Sequence, residues 1–277
     1  MERDNNSAIS EATDDSGGIR NMEDIYLVCE DSLEGIFSGI YEAYRLKLPH
    51  EQLHIQVEEP QEYRLFATYR QTATDENKAT RVARTINREF GMESYLSICR
   101  AIASPDPEKG EAVYKAIVTG FSMEYPMQLM GNLADPYVHK VFELARFCGN
   151  EAHYLIEFIR FKELENRILY ATTGPKNNIL TFVMPHFADR FPLENFVIYD
   201  EVRGLYGLHP AGKDWYVVSA QEGYRPPEHA LSEGEKTYSE LFCHFFHTIA
   251  IKERVNYHLQ RNMLPIHYRK YMTEFQV

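Results

Sequence analysis

Apolar positions along this chain change their period twice, and the changes divide it. Residues 1–22, rich in Asp, Asn, Ser, Gly and Glu, have no apolar period and are expected to form a disordered acidic leader. Order should begin with Ile25-Tyr-Leu-Val28 as a short strand. Asp31-Ser-Leu-Glu34 has capping-box spacing, and Ile36, Phe37, Ile40, Tyr41 and Tyr44 then recur at helical intervals. That helix should run to Lys47, ahead of Pro49. Residues 53–57 and 63–68 read as two strands linked across Pro60. From Thr74 to Phe121 the period is helical: Thr74 can cap, Val82, Ile86 and Phe90 sit four apart, and Gly91 permits a break. Asp106-Pro107 and Asp135-Pro136 each place a cap before Pro at a first helical position. The second of these helices should bury Val141, Phe142, Ala145, Cys148, Ala152 and Ile156.

After Glu157 the period moves from 3.6 toward 2. Residues 159–164 and 168–172 predict a hairpin around Glu165-Asn166, a short helix follows within 178–191, and residues 196–199, 205–209 and 215–219 predict three more strands. The expected fold is α+β: an antiparallel meander sheet framed by helices, with segregated elements rather than alternating βαβ units. Residues 23–277 should form a single domain with a helical subregion over 74–156. Ser232-Glu-Gly-Glu235 is a further capping-box spacing, and no Gly or Pro interrupts the chain from Lys236 to Leu264. A long C-terminal helix is therefore expected. On its wheel Phe242, Phe245 and Ile249 form one stripe, which continues as Glu253, Asn256 and Gln260. The opposite side carries His244, His247, Arg254, His258 and Arg261, either a solvated basic face or an anion-facing wall.

Composition is that of an ordinary globule, 44% hydrophobic and 25% charged. The net charge of −12 is unevenly placed: residues 1–62 hold 15 acidic and 4 basic side chains, against 26 and 25 in the remainder. The body is thus close to neutral, and charge excludes no nucleic-acid partner. No apolar run approaches the ~20 residues of a membrane span, and the N-terminus has no basic-then-apolar signal pattern, so a cytoplasmic protein is expected. Cys29, Cys99, Cys148 and Cys243 lie far apart, without the paired spacing of a zinc or iron–sulfur site. They are expected as reduced, mostly buried thiols, with no metal and no cofactor implied. Nucleotide-binding glycine motifs and the serine-hydrolase, zincin and zinc-deaminase signatures do not occur.

Candidate chemistry lies in four places. Glu151-Ala-His153 cannot converge on one ion, because helical residues two apart diverge by about 160°. His153 is expected as half-buried and Glu151 as a surface or salt-bridged group. Phe158-Ile-Arg160-Phe161 sets a cation among aromatics, as a packed stem or as a presenter of Arg to phosphate. His186, Asp189 and Arg190 share a face of the short helix, as a structural pair or an acid–base pair. Asp200 and Arg203 flank a hairpin turn and are expected to stabilise it. The wheel predicts a cavity shared by the C-terminal helix and the His186 segment.

Several segments in order carry a resemblance. They are Asp31-Ser-Leu-Glu-Gly35, Gly149-Asn-Glu-Ala-His153, Phe158-Ile-Arg-Phe161, His186-Phe-Ala-Asp-Arg-Phe191, Ile198-Tyr-Asp200 and Ile251-Lys-Glu-Arg254 with Asn256, Gln260-Arg261, Pro265 and Tyr268. From Ile25 to Glu274 the chain resembles the "probable DNA metabolism protein" family, a domain of unknown function found beside or fused to uracil-DNA-glycosylase-like proteins. The usual companion of that family is a radical-SAM protein of DNA repair or modification. This chain departs from the pattern at Glu30, Tyr154, Glu157 and Arg269, the last replacing a tryptophan. The resemblance implies a process and transfers no catalytic residue.

Three functions are consistent with these readings. The first is an accessory protein of DNA repair or modification that works with a radical-SAM partner and engages DNA through Arg160, Arg190, Lys252, Arg254, Asn256, Gln260, Arg261 and Lys270. The second is an enzyme acting on a nucleobase or nucleotide, with His153, His186, Asp189 and Glu253 in one pocket. The third is a protein-binding scaffold.

Overall fold

The computed structural model describes residues 23–59, 62–220 and 230–275, so the expected leader lies outside the described residues. Strand β1 (Asp24–Cys29) is the middle of a three-stranded sheet ordered β2-β1-β3, with β2 (Leu53–Val57) and β3 (Ala67–Gln71) both parallel to it. Parallel neighbours require a crossover, and α1 (Leu33–Leu46) supplies the one between β1 and β2. Its cap is Ser32, one residue later than the Asp31 spacing implied: the Ser32 hydroxyl accepts the Gly35 N–H at 2.9 Å. Gly39 lets the helix lie on the strand, since a Cβ there would stand 2.2 Å from Cys29 Sγ. Strand β3 starts at Ala67, late in the expected 63–68, because Phe66 takes a left-handed φ of 62° that an extended strand does not accommodate.

Helix α2 (Glu76–Ile102) is capped by Asp75, while Thr74 turns its hydroxyl to Glu30. Gly91 interrupts it with φ 80°, as the sequence suggested. Helices α3 (Lys109–Ser122) and α4 (Pro136–Phe158) follow, and Asp135 caps α4 by accepting the Tyr137 and Val138 N–H groups.

The second sheet is ordered β4-β5-β6-β7-β8: Lys162–Glu163, Leu169–Thr173, Phe196–Asp200, Leu205–His209 and Tyr216–Ser219. Its pairs are antiparallel except β5–β6, which is parallel and bridged by α5 (Leu180–Arg190). The expected plain meander is therefore corrected. The fold is mixed α+β, with βαβ connections at β1–α1–β2 and β5–α5–β6. Single-sequence periodicity locates strands but does not reveal whether a helix between two of them returns the chain in the same direction.

Two apolar clusters form the interior, one from the first sheet with α1–α3 and one from the second sheet with α5. Helix α4 feeds both: Val138, Val141 and Leu144 enter the first, and Cys148, Ala152 and Leu155 the second. Phe142, expected inside, is 38% exposed on the opposite flank.

No long C-terminal helix forms. The segment divides into α6 (Glu233–Thr248), a 3-10 turn at Lys252–Arg254, α7 (Tyr257–Met263) and α8 (Ile266–Arg269), with a last turn at Thr273–Phe275. Ser232 caps α6 as expected, but Glu235 turns to the Glu163 N–H instead of completing the box. Three local preferences explain the break. Thr248 bonds back to His244 O at 2.7 Å, Ile249 and Ile251 are β-branched, and Asn256 caps a new helix by accepting the Leu259 N–H. Helix α6 buries no residue, so no tertiary packing overrides those preferences. Among the described residues no helix is long and apolar enough to cross a membrane.

Candidate functional site

The Gly149-to-His153 motif sits in the middle of α4, and Glu151 is its inward member. Glu151 is 7% exposed, and its carboxylate accepts the Lys176 N–H at 2.8 Å, the Asn177 N–H at 2.8 Å and the Asn177 side-chain amide at 2.6 Å. The Tyr268 phenol lies near enough to this carboxylate for its charge to add to the effect of burial in raising the phenol pKa. A buried carboxylate with this many donors is satisfied without a counter-cation, and it pins the loop between β5 and α5 to α4. Beside it opens a cleft of about 570 Å³ whose walls include Tyr154, Lys176, His267 and Tyr268. Burial, opposed by Glu151, holds the His267 imidazole below its ordinary pKa, and burial raises the Tyr268 phenol.

Ser104 and Pro105 also border a second basin, of about 770 Å³, at the carboxyl ends of β1 and β2. In sheets with parallel strands this edge is where ligands usually enter. Asp31 and Ser32 follow β1 here, Glu58 follows β2 with φ 61°, and α1, α3 and α5 all begin nearby. Lys109, the first residue of α3, has a side chain only 4% exposed; its ammonium donates to Ser104 O at 2.6 Å and pairs with Asp31 at 2.5 Å. Across the basin Arg203 donates to Pro175 O, Lys176 O and Asp200. Asp200 has no exposed surface, and burial holds its carboxyl above the ordinary value against the pull of Arg203. Burial likewise pushes the Cys99 thiol up, which keeps it protonated and unreactive at neutral pH. The charged groups around this groove are thus held by the protein itself, Lys109 by Asp31 and Ser104 O and Arg203 by Asp200 and two backbone carbonyls. Among the described residues no three His, Cys, Asp or Glu side chains are placed to share a metal ion.

The residues singled out from sequence are dispersed. His153 is exposed and pairs with Glu157 at 3.0 Å, so the two ends of its motif face apart as helical geometry requires, with Glu151 rather than His153 inside. His186 and Asp189 share the exposed side of α5, the His186 ring against Phe187 at 5.1 Å; Arg190 lies over Phe191 at 5.6 Å. Glu253 and Arg254 are exposed in the 3-10 turn that also contains Lys252. Asn256 caps α7, Gln260 is half-buried with its carbonyl facing Arg269, and Arg261 is exposed. Arg160 is committed to Glu274 at 2.8 Å and to two backbone carbonyls. Lys270 pairs with Glu201 at 2.6 Å. No hydrogen bond or ion pair joins His153, His186, Asp189 and Glu253 to one another among the described residues. The Phe242–Phe245–Ile249 stripe is outside rather than in a core, Phe245 being 57% exposed. Because the helix ends at Thr248, the polar continuation of that stripe does not share its face.

Sequence reasoning passed over Lys109 and Asn177, and named Tyr268 only among the residues that carry the resemblance. The run Gly174-Pro-Lys-Asn-Asn178 was the available signal, a turn-forming stretch whose backbone N–H groups need an acceptor. Asp200 and Arg203 do form the expected pair at 3.2 Å.

No curated protein matches this chain. The crystal structure of an uncharacterized protein from Helicobacter pylori G27 is similar at 9% identity over 82% of this chain and 99% of that one, with a TM-score of 0.20, too low to support a structural comparison. The family model for a domain of unknown function, DUF4130, matches residues 107–274 and so takes in Lys109, Glu151, Asn177, Asp200, Arg203 and Tyr268. The chain belongs to the DUF4130 family.

Proposed function

We propose that this protein is an accessory component of DNA repair or modification that docks on a radical-SAM partner through its C-terminal segment and contacts DNA beside it. One observation carries the reading. Helix α6 buries nothing, yet Tyr238, Leu241, Phe242, Phe245 and Ile249 lie along it, and Ile251, Val255, Tyr257, Leu259 and Met263 continue the exposure. Apolar surface on that scale is unusual for a chain working alone and marks a contact surface. Arg254 and Arg261, exposed in the same segment, suit a phosphate backbone. Arg160 contributes indirectly, by fastening Glu274 and with it the end of the segment.

The test uses the full chain and a radical-SAM protein encoded with it. A complex resistant to nuclease is expected on size exclusion, weakened at least tenfold by Phe245→Asp with Ile249→Asp. DNA affinity should fall steeply with salt, and Arg254→Ala with Arg261→Ala should flatten that dependence. A chain that binds neither the partner nor DNA at low salt defeats the proposal.

The groove around Ser104 favours a second reading, an enzyme acting on a nucleobase or nucleotide. There the pair of buried Lys109 with exposed Asp31, together with Arg203, supplies the charge, in place of the dispersed histidines. Turnover of nucleotides abolished by Asp31→Asn, with the partner complex intact, would favour it over the accessory role.

A further inference from the structure

Tyr26, His54 and Tyr69 hold matching positions on β1, β2 and β3, and their rings stack across the sheet with centroids 4.6 and 4.9 Å apart. Tyr26 and His54 of this row border a cleft of about 610 Å³, closed by the first turns of α3 and α4, with Gln56, Arg64, Glu111, Tyr137 and Lys140 on its walls. Its hydrogen-bonding capacity is lopsided. The carboxylates are committed: Glu111 accepts the Ile55 N–H at 3.0 Å and bonds His54 Nδ1 at 2.8 Å, while Glu108 lies 3.5 Å from Lys140. Lys140 is itself held by Asp106 at 2.8 Å.

The groups left over are donors. Tyr26 is only 6% exposed, and its hydroxyl has no hydrogen-bond partner. The guanidinium of Arg64 lies 5.5 Å from the centroid of the Tyr26 ring, is exposed, and pairs with no carboxylate among the described residues. A buried donor without an acceptor destabilises the fold, so a ligand that supplies the acceptor gains affinity from the same group. A guanidinium over an aromatic ring is suited to phosphate, which it can bind through two parallel N–H groups. The cleft is of the size that takes small organic ligands.

We propose that this cleft binds a planar, acceptor-rich anion of the nucleoside monophosphate class. The ring lies beside the stacked Tyr26 and His54 rings with an acceptor on the Tyr26 hydroxyl, and the phosphate takes the Arg64 guanidinium. Arg64 is the exposed part of the cover over Tyr26, and its turn toward the phosphate uncovers the hydroxyl. The site is separate from the C-terminal segment and does not depend on the reading given to it.

Isothermal titration of the full chain with AMP, adenosine and inorganic phosphate tests this. AMP should bind saturably, with adenosine and phosphate each at least tenfold weaker. Tyr26→Phe keeps the ring and removes only the unpartnered hydroxyl. It should weaken AMP binding about five- to tenfold while leaving the thermal midpoint of the free protein unchanged or higher. Arg64→Ala, at an exposed position, should weaken AMP at least tenfold and carries the test if Tyr26→Phe folds poorly. The proposal is overturned if AMP shows no saturable binding at millimolar concentration, if phosphate alone binds as tightly as AMP, or if both variants bind AMP like the parent.

Discussion

Glu151 holds Asn177 twice, by its backbone N–H at 2.8 Å and by its side-chain amide at 2.6 Å, and so ties the loop before α5 to the centre of α4. Glu151→Gln replaces one acceptor oxygen by a donor that faces other donors. Leaving such buried groups unsatisfied should cost about 2–3 kcal/mol. Urea unfolding measures the loss, and hydrogen exchange should quicken first at residues 174–178. An unchanged midpoint would mean that the carboxylate does not organise the loop.

Arg160 and Glu274 form a second tie, between the end of α4 and the last turn of the chain. Glu274 is buried and one of its oxygens has no partner even with Arg160 in place. Arg160→Ala should therefore cost about 3–5 kcal/mol, the usual penalty for stranding a buried charge. Adding Glu274→Gln should recover a large part of it. A double-mutant cycle from chemical denaturation reads the coupling; simple additivity would show that the pair is inert.

Acid should weaken the fold before carboxylates titrate. Burial lowers the pKa of both His50 and His267, Lys115 reinforcing the effect at His50 and Glu151 opposing it at His267. Between the folded and unfolded values the unfolded chain binds more protons, so stability rises with pH through that window. The contribution is complete above about pH 6.5 and declines as pH falls below it. Urea midpoints at pH 7.5 and 5.5 should differ, and His267→Asn should narrow the difference. A flat profile over that range would contradict the burial of these rings.

Two glycines should respond oppositely to alanine. At Gly39 the new Cβ meets Cys29 Sγ, and the overpacking should cost about 1–3 kcal/mol. At Gly149, inside α4, a Cβ meets nothing within 4 Å, so Gly149→Ala should stabilise by about 0.5–1 kcal/mol through helix propensity. Thermal melts of both variants check the pair.

Much of the fold was readable residue by residue. Asp135-Pro136 opened α4 where expected, Gly91 broke α2, and strands β1, β2, β6 and β7 fell on their apolar runs. What failed was long-range. The parallel pairing of β5 with β6 is decided by where α5 packs, which no local pattern encodes. The C-terminal helix failed differently: helix propensity without Gly or Pro permits a helix but does not hold one together, and α6 has no core to lean on. The candidate site was missed for a related reason. Charged letters such as His153 and His186 drew attention, whereas the buried charges Lys109 and Glu151 are concealed by partners from distant parts of the chain, Asp31 and Asn177; Asp200, whose partner Arg203 is three residues away, was legible.

Because α4 lends its front half to one apolar cluster and its rear half to the other, the portion of the chain shared with the family is not a detachable unit. Trimmed to residues 107–274, the polypeptide would carry Val113, Ile117, Val138 and Val141 as bare flanks that α1, α2 and the first sheet now cover. Any relative that has lost the preceding hundred residues must clothe those flanks with something else, a companion subunit or a differently built amino-terminal half.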